Sequence, residues 1–209
     1  MALRIELHYL PSIEYIGVLL KANQPVLLEA HEHYVKQTYR NRCQILTANK
    51  LESLTVPVHN TGKPTSKDIR IDYSLAWPNT HWRTVASAYG KSPFFEFYAD
   101  SLQPIFYAQH ATLWELNKAM LQWSLRCLSA KVDLQETTDF EPIGSSPADL
   151  RNHIHPRQAS RYYTPVSYGQ VFNPTQPFAP NLSVLDLIFC VGGKQAKQIA
   201  EQSVRFPFV

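Results

Sequence analysis

Polar and apolar positions alternate from Arg4 to Leu10, with Ile5, Leu7 and Tyr9 set against Arg4, Glu6 and His8. That period of two predicts a β-strand. Pro11-Ser12 ends it, and Ser12 is a natural N-cap. Ile13, Ile16, Gly17 and Leu20 then recur at helical spacing, so a short amphipathic helix is predicted over Ile13 to Ala22. Asn23-Gln24-Pro25 closes it, and Val26 to Ala30 reads as a second, more uniformly apolar strand. Strand, helix and strand at this spacing make a βαβ unit, which implies a parallel pair and a right-handed crossover. Ligands of such units bind beyond the carboxyl ends of the strands. Those ends are Tyr9 to Ser12 and Ala30 to Tyr34.

The pattern continues with two strand-like runs, Tyr39 to Thr47 and Leu51 to Val58, joined by Ala48-Asn49-Lys50 as a hairpin. His59 to Asp68 is polar and holds Gly62 and Pro64, hence a loop, and Ile69 to Tyr73 alternates again. Asn79 is positioned to cap a helix whose inner face carries Trp82, Val85, Ala86 and Tyr89, with Gly90 as its stop. Ser92-Pro93 opens another helix with an aromatic face of Phe94, Phe97 and Tyr98. Thr112-Leu113-Trp114-Glu115 is a capping box that starts the longest helix, to about Leu128. Asn117 falls on its inner face, as a core amide or a ligand contact. Lys131 to Thr137 fits a strand. Seven of the fifteen prolines fall between Phe140 and Pro180, so 139–180 is expected to wrap the surface without regular structure. Asn181-Leu182-Ser183 caps an apolar helix, Leu182 to Val191. Gly192-Gly193 breaks it, Lys194 to Ser203 forms a last helix, and Arg205 to Val209 is an apolar tail.

The expected fold class is therefore α/β: a mainly parallel sheet opening with a βαβ unit, an inserted β-hairpin and a helical second half, in a single domain over 1–209. With 44% hydrophobic and 18% charged residues, the chain has the makings of a full core. A net charge of +3 is too mild to argue for nucleic-acid binding. Cys43, Cys127 and Cys190 are far apart and show no zinc spacing, which fits reduced, buried thiols and a cytoplasmic location. The first residues lack a signal peptide's apolar core, and no run is long enough for a membrane span.

Candidate chemistry concentrates in His31 to Cys43. Thirteen residues hold two histidines, an acid, three cations, two amides and two tyrosines. If Tyr39 to Thr47 is extended, Arg40, Arg42 and Gln44 share one side, and two guanidiniums at i and i+2 suit a phosphate or carboxylate. Seven glycines and no Gly-rich fingerprint exclude P-loop and dinucleotide motifs. There is no nucleophile elbow. His31-Glu32-His33 is not a metalloprotease motif. A metal would need a third ligand such as His8, His153 or His155, and hydrogen-bonded histidines in a polar cleft are the preferred reading. The identity of any cofactor is left open.

The stretches Tyr9 to Tyr15, Tyr34 to Cys43, Trp82-Arg83, Ala88-Tyr89, Ser92 to Phe95 and Asn181 to Leu187 resemble the WbqC-like family of bacterial proteins, in the family's order along most of the chain. The family takes its name from a gene associated with O-antigen clusters. The resemblance thus implies bacterial cytoplasm and a role in building surface sugars, the O-antigen of lipopolysaccharide. It supplies no catalytic residues. The opening unit is also similar to nucleotidyl-transferase-like folds, which carry HxGH where this chain has Pro11-Ser12-Ile13-Glu14.

The expected function is a transferase acting on an anionic small molecule such as a nucleotide-linked sugar. The alternative is a non-enzymatic binding protein that uses the same cleft. Arg40 and Arg42 would hold phosphate or carboxylate, Lys36, Gln37 and Asn41 would orient it, and Tyr39 or Trp82 would stack. Pro11 and Ser12 would line the cleft, and His31 or His33 would do acid–base work. Asp186, in an apolar helix, needs a partner. The options are its own helix N-terminus with Ser183, or a charge-assisted contact with Arg40, Arg42 or Lys36 behind the site. The oligomeric state is left open.

Overall fold

The computed structural model describes residues 2–59, 61–172 and 175–205. The chain opens with β1 (Leu3–Ile5). Leu10, at φ 41°, then turns the backbone toward α1 (Ile13–Lys21). Ser12 caps that helix as its residue type demands, its hydroxyl accepting the Tyr15 N–H at 3.3 Å. β2 (Val26–Leu28) lies parallel to β1, with Leu3 opposite Val26 and Ile5 opposite Leu28. Both strands are shorter than the alternation predicts. Beyond them the backbone bonds go elsewhere: the Tyr9 N–H to the Tyr39 carbonyl, and the Ala30 N–H to the Thr137 hydroxyl.

β3 (Arg42–Leu46) and β4 (Leu51–Thr55) form the expected antiparallel hairpin, Arg42 opposite Thr55 and Leu46 opposite Leu51. The first strand begins later than Tyr39. Arg40 therefore sits in the turn before it and does not share a strand face with Arg42. A small antiparallel pair follows, β5 (Val58–His59) with β6 (Arg70–Ile71).

α2 (Trp77–Tyr89) starts before Asn79. Pro78 occupies its first turn, where a missing N–H is harmless, so the helix needs no side-chain cap there. Asn79 instead accepts the Tyr107 hydroxyl at 3.0 Å. Gly90 ends the helix at φ −56°, in the right-handed region rather than as a left-handed stop. α3 (Phe95–Tyr107) begins just after Pro93, and α4 (Leu113–Cys127) opens on the complete Thr112–Glu115 capping box. β7 (Leu134–Glu136) pairs in parallel with β2, giving a three-stranded sheet of order β1-β2-β7.

Between β7 and the last helix no helix or longer strand forms among the described residues. The proline-rich segment is nevertheless held down. Asp149 bridges to Arg4 alongside β1, and Ala148, Leu150, Arg151, Ile154 and Tyr168 are buried. α5 (Val184–Gln202) is broken at Gly192, φ 76°, where Gly192-Gly193 was expected to interrupt it. Phe206 to Val209, most of the expected apolar tail, lie outside the described residues, as does Pro174.

α1 and α5 are joined at their starts. The Ile13 N–H donates to the Leu182 carbonyl and the Val184 N–H to the Pro11 carbonyl. Residues from the sheet, the hairpin and all five described helices share one buried apolar cluster. The fold is α/β with a parallel sheet, an inserted hairpin and a helical second half. All three cysteines are free, and among the described residues no helix is long and apolar enough to cross a membrane.

Candidate functional site

The polar positions of β1 and of the segment that continues it do not face water. Arg4, Glu6 and His8 are 6%, 1% and 0% exposed, and Glu29, just past β2, is fully buried. Charges in such surroundings must be paired, and the pairs define two joined clusters. In the first, Arg4 contacts Glu29 at 2.7 Å and Glu141 at 2.6 Å, and Arg151 contacts Glu29 at 3.3 Å and Asp149 at 2.6 Å. Arg151 also donates to the Pro142 carbonyl, which fixes the proline-rich segment over the sheet.

The second cluster lies further along, at the carboxyl ends of β1 and β2. Arg40 donates to one Glu32 oxygen from Nε at 2.9 Å and Nη2 at 2.5 Å, and its Nη1 is 3.6 Å from Glu6. The Glu6 carboxylate also accepts the Asn152 N–H at 3.0 Å and meets His8 Nε2 at 3.2 Å. Burial pushes the Glu6 carboxyl up, but Arg40 and the His8 contact overcome it and hold the pKa at about 2. Burial lowers the His8 pKa against the pull of Glu6, which favours the neutral ring at neutral pH. An ionised Glu6 accepts only, which assigns the proton to Nε2. His8 Nδ1 then carries a lone pair and has no partner. Burial and the nearby Glu6 charge raise the Glu32 carboxyl, against the opposing effect of Arg40.

Arg42 differs from Arg40. It is half-buried, its Nε is inaccessible and without a partner, and it makes no ion pair among the described residues. His155 of the proline-rich segment lies within electrostatic reach of Arg40, Glu6 and Arg42. Burial first, then Arg157 and Arg40, lower its pKa.

The remaining expected residues scatter. Pro11 and Ser12 are buried as links in the α1–α5 junction. His31 is half-buried, with Nε2 on the Thr137 carbonyl at 3.1 Å; His33 is exposed, with Nδ1 on the Lys63 carbonyl at 3.0 Å. Lys36 and Gln37 are exposed, and Gln37 takes φ 62°. Tyr39 is buried with its ring 5.5 Å from His8. Asn41 holds the Val56 carbonyl at 2.8 Å and leaves Oδ1 unpartnered. Trp82 stacks on Phe95 at 6.0 Å, packing α2 on α3 away from this cluster. Asp186 pairs with neither expected partner: its carboxylate accepts from the Tyr168 hydroxyl at 2.6 Å and Gln170 Nε2 at 3.2 Å. Asn117 acts as a core amide, donating to the Arg40 carbonyl at 2.7 Å.

Glu6, Glu29, Asp149 and Arg151 were not singled out by sequence reasoning as site residues, and His8 was raised only as a third metal ligand. The available signal was the charged Arg4-Glu6-His8 face within a strand already assigned to a parallel sheet, because such sheets are covered on both sides. Among the described residues no group of three or more His, Cys, Asp or Glu side chains is arranged to hold a metal ion.

Fold and site together define an α/β protein with a buried charge network at the ends of a short parallel sheet. The chain belongs to the WbqC-like protein family, whose model matches residues 7–174. It is also similar to the Mycobacterium tuberculosis protein named "Uncharacterized protein Rv1507c", 26% identical over 220 residues that cover 91% of this chain and 93% of that one. No solved structure matches the chain.

Proposed function

We propose that the protein is a transferase acting on an anionic small molecule at the carboxyl ends of β1 and β2. The substrate class is a nucleotide-linked sugar, as the family name's association with O-antigen and lipopolysaccharide synthesis implies, and the setting is the cytoplasm. Arg42 carries the reading. Its guanidinium is half-buried and has no carboxylate partner among the described residues, which leaves the charge without a counter-ion in the free protein. A phosphate or carboxylate oxygen would satisfy it with a charge-assisted bond. Arg40, already neutralised by Glu32 and Glu6, positions the acid behind His8. Lys36, Gln37 and Asn41 border the same turn and orient the ligand, and Tyr39 forms a wall.

His8, with its tautomer fixed by Glu6, is fully buried and backs the site without reaching a ligand. His31 and His33 each spend one ring nitrogen on a backbone carbonyl and keep the other for a ligand.

Isothermal titration of the wild type and Arg42→Gln with UDP and UDP-linked sugars tests the reading. Binding by the wild type, weakened roughly tenfold or more in the variant at unchanged melting temperature, supports it. No binding by the wild type, or equal binding by both proteins, overturns it. Binding without transfer to any acceptor would select the non-enzymatic alternative.

A further inference from the structure

A pocket of about 470 Å³ opens on the far side of α2, between that helix, the β3–β4 turn at Thr47-Ala48, and Val171-Phe172 of the proline-rich segment. Its size is that of a small-molecule site. Among the described residues no aspartate or glutamate lines it, but Arg83 and Lys91 do. Neither cation makes an ion pair with a carboxylate among the described residues.

The helix geometry aligns the donors. Arg83, Ser87 and Lys91 stand at i, i+4 and i+8, one stripe of α2, and Gly90 at φ −56° keeps the backbone near the helical path as far as Lys91. At the helical rise the two cations are rooted roughly 12 Å apart. Their long side chains can converge on one bridging group or take its two ends. The Thr84 hydroxyl is already donated to the Thr80 carbonyl, so Ser87 is the hydroxyl donor left on the stripe. The opposite wall is braced. Gln176 Nε2 donates to the Thr47 carbonyl at 3.0 Å and the Ala48 carbonyl at 2.5 Å, which clamps the hairpin turn to the proline-rich segment. Phe172 adds an aromatic surface to that wall.

We propose that this pocket binds a diphosphate group carried on a small organic molecule, with Arg83 and Lys91 on the phosphates and the organic part against Phe172. The site is separate from Arg42 and stands on its own observations.

The test is ¹H–¹⁵N NMR titration at about 0.15 M salt, where scattered surface charges are screened, with inorganic pyrophosphate and UDP as probes. The proteins are the wild type, Arg83→Gln/Lys91→Gln and Arg42→Gln. Shifts at residues 47–48, 83–91 and 171–172 in the wild type and Arg42→Gln, at least roughly tenfold weaker binding there in the double variant, and tighter binding of UDP than pyrophosphate are expected. Exposed positions 83 and 91 leave the fold intact in the double variant. No shifts at these residues, or shifts that the double variant leaves unchanged, overturn the proposal. Shifts only around Arg42 would overturn it while leaving the Arg42 reading in place. Shifts only here would do the reverse.

Discussion

Asp186, in the first turn of α5, accepts a 2.6 Å hydrogen bond from the Tyr168 hydroxyl, and the same oxygen accepts from Gln170 Nε2. A residue from the proline-rich segment thus meets the carboxylate of an otherwise apolar helix. Burial raises the Asp186 pKa, and its hydrogen bonds only partly oppose this. A raised carboxyl pKa means the folded state binds the proton more tightly than the unfolded state. Ionised Asp186 therefore detracts from stability above its folded pKa, and the penalty fades as pH falls toward the unfolded value. Asp186→Asn keeps an acceptor for both donors and removes the charge. Its melting temperature at neutral pH is expected to equal or exceed that of the wild type, with the difference vanishing in acid. Asp186→Ala removes the acceptor of the 2.6 Å Tyr168 hydrogen bond and should lose about 1–3 kcal/mol in chemical denaturation.

Glu6 shows the opposite sign. Its pKa is lowered from 4.5 to about 2, so its contribution is present above the unfolded pKa and lost as pH falls through the folded one. Between about pH 4.5 and 2 the protein should lose stability on the order of 3 kcal/mol from this group. Denaturant midpoints against pH should be flatter in that window for Glu6→Gln. An equally steep profile in the variant would show that other carboxylates dominate acid unfolding.

Packing at Gly17 makes a purely structural prediction. A Cβ there would stand 2.4 Å from both the Ala200 carbonyl oxygen and Val204 Cγ2. One contact is backbone and cannot swing away, so Gly17→Ala must pry α1 from α5. The helix-propensity gain of about 1 kcal/mol is expected to be outweighed by overpacking of about 1–3 kcal/mol. A melting temperature above that of the wild type would contradict the close approach.

Much of the fold was legible because its signals are local. Ser12 and Thr112 cap helices for reasons contained within four residues, and Gly192 breaks α5 because its φ of 76° suits glycine. The βαβ opening followed from two periodicities and their spacing. The site was less legible because its partners are distant in sequence. Arg4 finds Glu29, Arg151 finds Glu29 across 122 positions, and Asn152 reaches Glu6. Read locally, Arg4, Glu6 and His8 form a solvent face. Tyr15, Tyr39 and Arg40 cover His8 and Glu6 from one side, the proline-rich segment covers Arg4 and Glu6 from another, and nothing in that segment's composition sets its path. The same non-local packing separated Arg40 from Arg42, which a uniform strand would have placed side by side.

That separation predicts different phenotypes for the two arginines. Arg40 is 2% exposed and neutralises Glu32 and Glu6 at once. Arg40→Met would leave two buried carboxylates with no cation beside them, a loss of roughly 3–5 kcal/mol. Replacing Glu32 as well, in Arg40→Met/Glu32→Gln, removes one stranded charge and should restore part of that loss, because partners in contact are not additive. Arg40→Lys should rescue poorly. One ammonium cannot reproduce the two-nitrogen contact with Glu32 and still reach Glu6 and Thr38. Arg42, with an orphaned Nε and no carboxylate partner, stabilises little in the free protein. Arg42→Gln should melt within about 1 kcal/mol of the wild type while losing the anion-dependent rise in melting temperature. A large destabilisation of Arg42→Gln without ligand would make that arginine a structural residue and remove the main support for an anion site at the strand ends.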